Sequence, residues 1–202
     1  VGISSGGHLA ASASTLAETK PAFSILFYPV ITAEKGKGHQ GSFNALLGGS
    51  RNAESDTWYS LQNRVTAQTP PTLLLLSDDD KVVPPVNSTL YYNALKEHGV
   101  KASMHIYPTG GHGWGIRDHF EYKEQWQQAT LDWLKELNDD RNTASVLLRQ
   151  PGLPGCVDVG IRPATSRKSA GRELAEAAVQ AAVQEFGQQV RSRRESDWPA
   201  GQ

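Results

Sequence analysis

Gly2-Ile3-Ser4-Ser5-Gly6 fits the pattern G-x-S-x-G, with a short apolar lead-in before it and a small-residue stretch after it. A serine on so sharp a strand-to-helix turn projects its hydroxyl clear of the main chain, and flanking glycines keep neighbouring backbone out of its way. At neutral pH a serine hydroxyl holds its proton too tightly to attack a carbonyl, so it needs a base. His112, in Gly110-Gly111-His112-Gly113, could be that base, returning the proton later to a leaving group. A carboxylate behind the imidazole would fix its tautomer and stabilise the imidazolium, and the run Asp78-Asp79-Asp80 offers three candidates. The amide of Ser5, at the start of the following helix, would point at the same space as Ser4 and could donate to a developing oxyanion.

These groups act together only if the fold presents them on one edge. Gly6 to Thr19 is helix-compatible, Ala22 to Val30 reads as an apolar strand, and residues 42 to 65 carry short helical pieces. A strand is expected at Thr72 to Ser77 and a helix from about Asn87 to His98, with Leu90, Tyr91, Ala94 and Leu95 on one side. A strand from Ala102 to Tyr107 follows, then a helix over 120 to 137 that buries Trp126, Thr130, Trp133, Leu134 and Leu137. Continuous apolar strands separated by helices predict an α/β fold, a mostly parallel sheet covered on both faces. Ser4, the Asp run and His112 each follow a strand directly. All three therefore leave the carboxyl edge of the predicted sheet, where open α/β sheets place their ligands.

Beyond that region the character of the chain changes. Eight of the eleven Arg but one of the nine Lys lie after Asp140, and all six His lie before it. Residues 1–140 read as the catalytic region. Residues 141–168, with Pro151-Gly152-Leu153-Pro154-Gly155, read as a linker, and 169–202 as an amphipathic helix or tail of unassigned role. There Ala175, Ala178, Val179, Ala182, Val183, Phe186 and Val190 form a stripe that would pack on a neighbour or face solvent. The chain opens on Val1-Gly2-Ile3, the end of a strand rather than a polar lead-in, and is expected to be a fragment.

Composition excludes several alternatives. With 202 residues and net charge -1, without a basic stripe, nucleic acid and anionic membrane are poor partners. No apolar run reaches membrane-spanning length. Cys156 is alone, so no internal disulfide or Cys-built zinc site can form. The Asp run lacks the D-x-[DN]-x-[DN]-G calcium pattern, no H-E-x-x-H pair exists, and His105 and His112 are separated by a strand and a loop. No metal or other cofactor is expected. His8 reads as a packing or hydrogen-bonding residue rather than a second base. Trp114 could wall an acyl pocket or belong to the core, and Ser42, Trp58 and Tyr59 lie in the segment between two predicted strands.

Gly2 to Ala11, Tyr28-Pro29-Val30-Ile31-Thr32, His39-Gln40-Gly41-Ser42, Thr69-Pro70-Pro71-Thr72, Asp80 to Pro84 with Asn87-Ser88, and Tyr107 to Gly113 together resemble the esterase/lipase-type α/β-hydrolases. The branch most similar is the acetyl-esterase-like group that includes acetylxylan and feruloyl esterases. The resemblance covers about residues 1 to 137, the carboxyl half of that fold, and the order Ser, Asp, His is that of the family. It implies a triad of Ser4, Asp80 and His112, the acid lying just ahead of the Val-Val-Pro segment, with Asp79 as the fallback. It also implies an ester substrate with the acyl group on a carbohydrate, an acyl-enzyme on Ser4, and a secreted or periplasmic parent. The family's first strands and its second oxyanion donor, on an H-G-G-type loop, have no counterpart in these residues. A prolyl-oligopeptidase-type serine peptidase resembles the chain in the D-x-x-V-P and G-G-H segments. A non-catalytic remnant in which the three residues do not meet is the other alternative.

Overall fold

The computed structural model describes residues 1–115 and 117–147, and Val1–Asp140 forms one compact unit. Four strands, β1 (Gly2–Ile3), β2 (Ser24–Phe27), β3 (Thr72–Ser77) and β4 (Ala102–Tyr107), form a parallel sheet in the order β1-β2-β3-β4. Helix α1 (Ser5–Thr15) follows β1, and α2 (Gln40–Leu47) and α3 (Ala53–Tyr59) lie between β2 and β3. Helix α4 (Val86–Glu97) joins β3 to β4, and α5 (Lys123–Leu147) follows β4.

The central strands are apolar on both faces because both faces are covered. With a side-chain period of two, Leu26 and Leu74 point to one side. There they pack with Ala11 of α1, Tyr91, Ala94 and Leu95 of α4, and Leu61 and Val65 from the connection before β3. Ile25, Phe27, Leu73 and Leu75 point to the other, against Trp126, Trp133 and Leu137 of α5 and against Trp114 and Phe120. β4 is the half-exposed edge, with Ile106 on its open side.

The predicted elements are present, with shifted ends. The strand expected over Ala22 to Val30 pairs only over Ser24–Phe27, because Tyr28 turns to a φ of 33° and leaves the extended region. The helix expected from Gly6 to Thr19 runs Ser5–Thr15 and ends in a cap at Leu16, whose N–H donates to the Ser12 carbonyl. The last helix continues past 137 to Leu147, so the first residues read as linker are helical. The remainder of that linker and the stripe from Ala175 to Val190 lie outside the described residues.

Candidate active site

Ser4 separates β1 from α1 at φ 54° and ψ −121°, a region that side-chain-bearing residues seldom occupy and that recurs at functional sites. Its main chain is held from both sides. The Ser4 N–H donates to the Phe27 carbonyl at 3.0 Å, and the Ser4 carbonyl accepts from Gly7 at 2.9 Å and Val30 at 3.1 Å. A Cβ on Gly2 would lie 2.6 Å from the Gly6 carbonyl oxygen and from Ala10 Cβ, so glycine is required there. Gly6, by contrast, has open space where its Cβ would be. The crowded position is Gly7, whose Cβ would meet Pro29 at 2.7 Å. The expectation that both motif glycines prevent clashes is therefore corrected: Gly2 and Gly7 do so, and Gly6 does not.

The loop after β3 carries the acids. Asp80 is 3% exposed; its Oδ1 accepts the amides of Val82 and Val83, both at 2.9 Å, and its Oδ2 lies 2.7 Å from His112 Nδ1. Asp79 faces elsewhere in the same loop cluster: its oxygens accept the amides of Gly111 at 2.7 Å and Gly110 at 3.3 Å. Asp78 is exposed, with its N–H on the Tyr107 carbonyl. The loop after β4 brings His112 Nε2 to 2.8 Å from Ser4 Oγ. An ionised carboxylate only accepts, so the Asp80 contact assigns the imidazole proton to Nδ1 and leaves Nε2 as the acceptor of the Ser4 hydroxyl. Three loops that leave the carboxyl edge of the sheet thus bring Ser4, His112 and Asp80 into one hydrogen-bonded chain. The Ser5 amide begins α1, where an N–H has no acceptor within the helix.

Trp114, beside His112, is 3% exposed; its indole N–H donates to Ser77 Oγ at 2.8 Å and its ring stacks on Phe120 at 3.9 Å. It lines a cavity of about 230 Å³ with His112, Arg117, His119 and Glu121 while remaining part of the core. His8 donates its Nε2–H to the Tyr59 carbonyl at 3.0 Å, its ring meets Phe43 edge-on, and burial lowers its pKa from 6.5. Tyr59 and Ser42 line a groove of about 330 Å³ with Ser5, His8, Val30 and Phe43. Trp58 is half exposed beneath the Arg64 guanidinium.

Two contacts were not expected from the sequence. Tyr28 packs its ring against His112, and Asp79 holds the His112 loop by its amides. Among the described residues no group of His, Cys, Asp and Glu is placed to hold a metal ion, and no helix is long and apolar enough to cross a membrane.

With this geometry in view, residues 1–140 match the model of the prolyl oligopeptidase family. The chain is 40% identical over 143 residues to an acetylxylan esterase of Xylanibacter ruminicola, covering 68% of this chain and 30% of that protein. It is 38% identical over 89 residues to endo-1,4-β-xylanase B of Butyrivibrio fibrisolvens, covering 44% of this chain and 14% of the relative. Among solved structures it is similar to an acetyl ester-xyloside bifunctional hydrolase of Caldicellulosiruptor lactoaceticus. That likeness has a TM-score of 0.63 and 34% identity, over 68% of this chain and 55% of the other. The chain therefore spans about a third to a half of the relatives it matches along most of its described length.

Proposed function

The chain belongs to the prolyl oligopeptidase family, and we propose that it carries the catalytic triad of a serine hydrolase that cleaves carboxylic esters, with an acyl group on a carbohydrate as substrate. The observation that carries this reading is the continuous contact from Ser4 Oγ through His112 to Asp80, at 2.8 and 2.7 Å.

In the proposed reaction Ser4 Oγ attacks the ester carbonyl carbon while its proton passes to His112 Nε2. The carbonyl π pair moves onto oxygen, and the Ser5 amide donates to the resulting oxyanion. Asp80 stays ionised and stabilises the imidazolium through Nδ1–H. Collapse of the tetrahedral species breaks the bond to the alcohol oxygen, which takes the proton from His112 Nε2, leaving an acyl-Ser4 ester. Water then attacks that ester, with His112 taking its proton and returning one to Ser4 Oγ, and the carboxylic acid departs. No step calls on a metal or organic cofactor.

The choice of an acetylated carbohydrate is supported by the names of the relatives, an acetylxylan esterase and an acetyl ester-xyloside hydrolase. The family match favours a second reading, hydrolysis of a proline-containing peptide amide. Acetylated xylo-oligosaccharide assayed against a proline-containing peptide amide separates the two.

Mass-spectrometric mapping of a fluorophosphonate adduct on the 202-residue chain tests the triad, since the probe captures a serine only when a base activates it. The expected result is phosphonylation of Ser4 that His112→Ala abolishes. No adduct, or labelling indifferent to His112, overturns the reading.

A further inference from the structure

We propose that Tyr28 is a positioning residue that sets His112 against Ser4, an inference that rests on reading Ser4, Asp80 and His112 as a triad. His112 sits on a loop with little stiffness of its own. Gly110, Gly111, Gly113 and Gly115 all have positive φ, at 134°, 58°, 83° and 46°. Glycine admits such angles at the cost of a larger conformational freedom, so the orientation of the imidazole has to be imposed from outside the loop.

Tyr28 supplies a tether on the far side of His112 from Asp79. Its hydroxyl oxygen accepts the Gly115 amide at 2.8 Å in a buried setting, and its ring lies edge-on to the imidazole with centroids 4.6 Å apart. The same ring meets Trp114 edge-on at 5.1 Å. Burial pushes the phenol up to about 12.

The main chain of Tyr28 is fixed just as firmly. Its N–H donates to the Leu75 carbonyl at 2.7 Å, which pins the turn to β3. The residues on either side hold the other reactant: the Phe27 carbonyl accepts the Ser4 N–H, and the Val30 N–H donates to the Ser4 carbonyl. One turn, residues 27–30, therefore grips the backbone of Ser4 and, through the Tyr28 side chain, the ring and loop of His112. An aromatic residue needed only to fill the core would not require a φ of 33°, which a bulky side chain rarely adopts. At this angle the ring faces His112 while the flanking peptides bond to Ser4. This turn, together with the Asp80 and Asp79 contacts to the His112 loop, sets the distance across which the proton moves.

The test uses the 202-residue chain and its Tyr28→Phe and Tyr28→Leu variants. One readout is the imidazole proton and nitrogen spectrum of His112, in which the Nδ1–H held by Asp80 gives a downfield signal. The other is the saturation kinetics of Ser4 phosphonylation, corrected for the folded fraction. Tyr28→Phe is expected to lower the limiting labelling rate about tenfold, with half-saturating probe concentration unchanged and the His112 signal broadened. Tyr28→Leu, which also removes the ring contact, is expected to lower it further. A Tyr28→Phe rate within twofold of the parent, with an unaltered His112 signal, overturns the inference. So does a fall that disappears once the folded fraction is counted, because that is what a purely structural role would give. If Ser4 of the unaltered chain does not label but the downfield signal is present and lost in Tyr28→Phe, the positioning role stands and the hydrolase reading falls.

Discussion

Asp80→Asn replaces one oxygen by an NH2 group and should nearly abolish the chemistry, for a reason the hydrogen bonds make explicit. Asp80 uses one oxygen for the Val82 and Val83 amides and the other for His112 Nδ1–H. An asparagine has one oxygen and one NH2 to place in those two positions. Turning the NH2 toward Val82 and Val83 would set donor against two donors and orphan two amides, at about 1–3 kcal/mol each. The oxygen therefore stays with the amides and the NH2 faces His112 Nδ1, which must then accept. That moves the ring proton to Nε2, so His112 donates to Ser4 Oγ and cannot take its proton. The tautomer preference alone, at least about 2 kcal/mol, corresponds to about thirtyfold. Loss of the carboxylate that stabilises the imidazolium brings the expected fall to about 10⁴-fold. Asp79→Asn should behave differently: its remaining oxygen still accepts the closer amide, that of Gly111, so a loss within about tenfold is expected. The assay is the limiting rate of Ser4 phosphonylation, with turnover of a p-nitrophenyl ester beside it. Asp80→Asn within tenfold of the unaltered chain, or an equal loss in Asp79→Asn, would refute the assignment of the acid.

Thermal unfolding should separate the two glycines after Ser4. Gly6→Ala, into open space on a helix, is expected to be neutral or to stabilise by about 0.5 kcal/mol, while Gly7→Ala, driven against Pro29, should cost at least about 1–3 kcal/mol. Stability should also fall as pH drops from 7.5 to 5.5. Burial lowers the pKa of His8, and of His105, from 6.5 in the folded chain, so the unfolded chain takes up these protons first and is favoured from about 6.5 downward. Urea midpoints across that interval should show a shallower slope in His8→Gln, whose side-chain amide can still donate to the Tyr59 carbonyl. An unchanged slope would mean that His8 does not set it.

The parts of this molecule that could be read from its sequence are those governed by local pattern. Leu73 to Leu76 is apolar without interruption because β3 is covered on both faces, and that continuity distinguishes a parallel inner strand from an amphipathic one. Once the strands are known, so is the edge from which Ser4, the Asp run and His112 emerge, since strand direction alone decides it. What could not be read depends on contacts between segments far apart in the chain. Residue type alone does not distinguish Asp79 from Asp80, which the resemblance separated only by place; in the structure one carboxylate faces amides of the Gly110 loop and the other the imidazole beyond it. The crowding at Gly7 comes from Pro29, on another strand's exit, so a motif centred on Ser4 gives no sign of it. Tyr28 is the clearest case, because in the sequence it lies within the apolar run Ala22 to Val30 and reads as one more strand residue. Its positive φ arises where the chain leaves β2 with its neighbours bonded to Ser4 and its own N–H to Leu75, while its hydroxyl is held by Gly115, 87 residues away. A residue whose conformation is set by three such partners is where a local reading of strand has to fail. That failure falls beside the Ser4–His112 pair, where strained backbone is expected to be retained for what it positions.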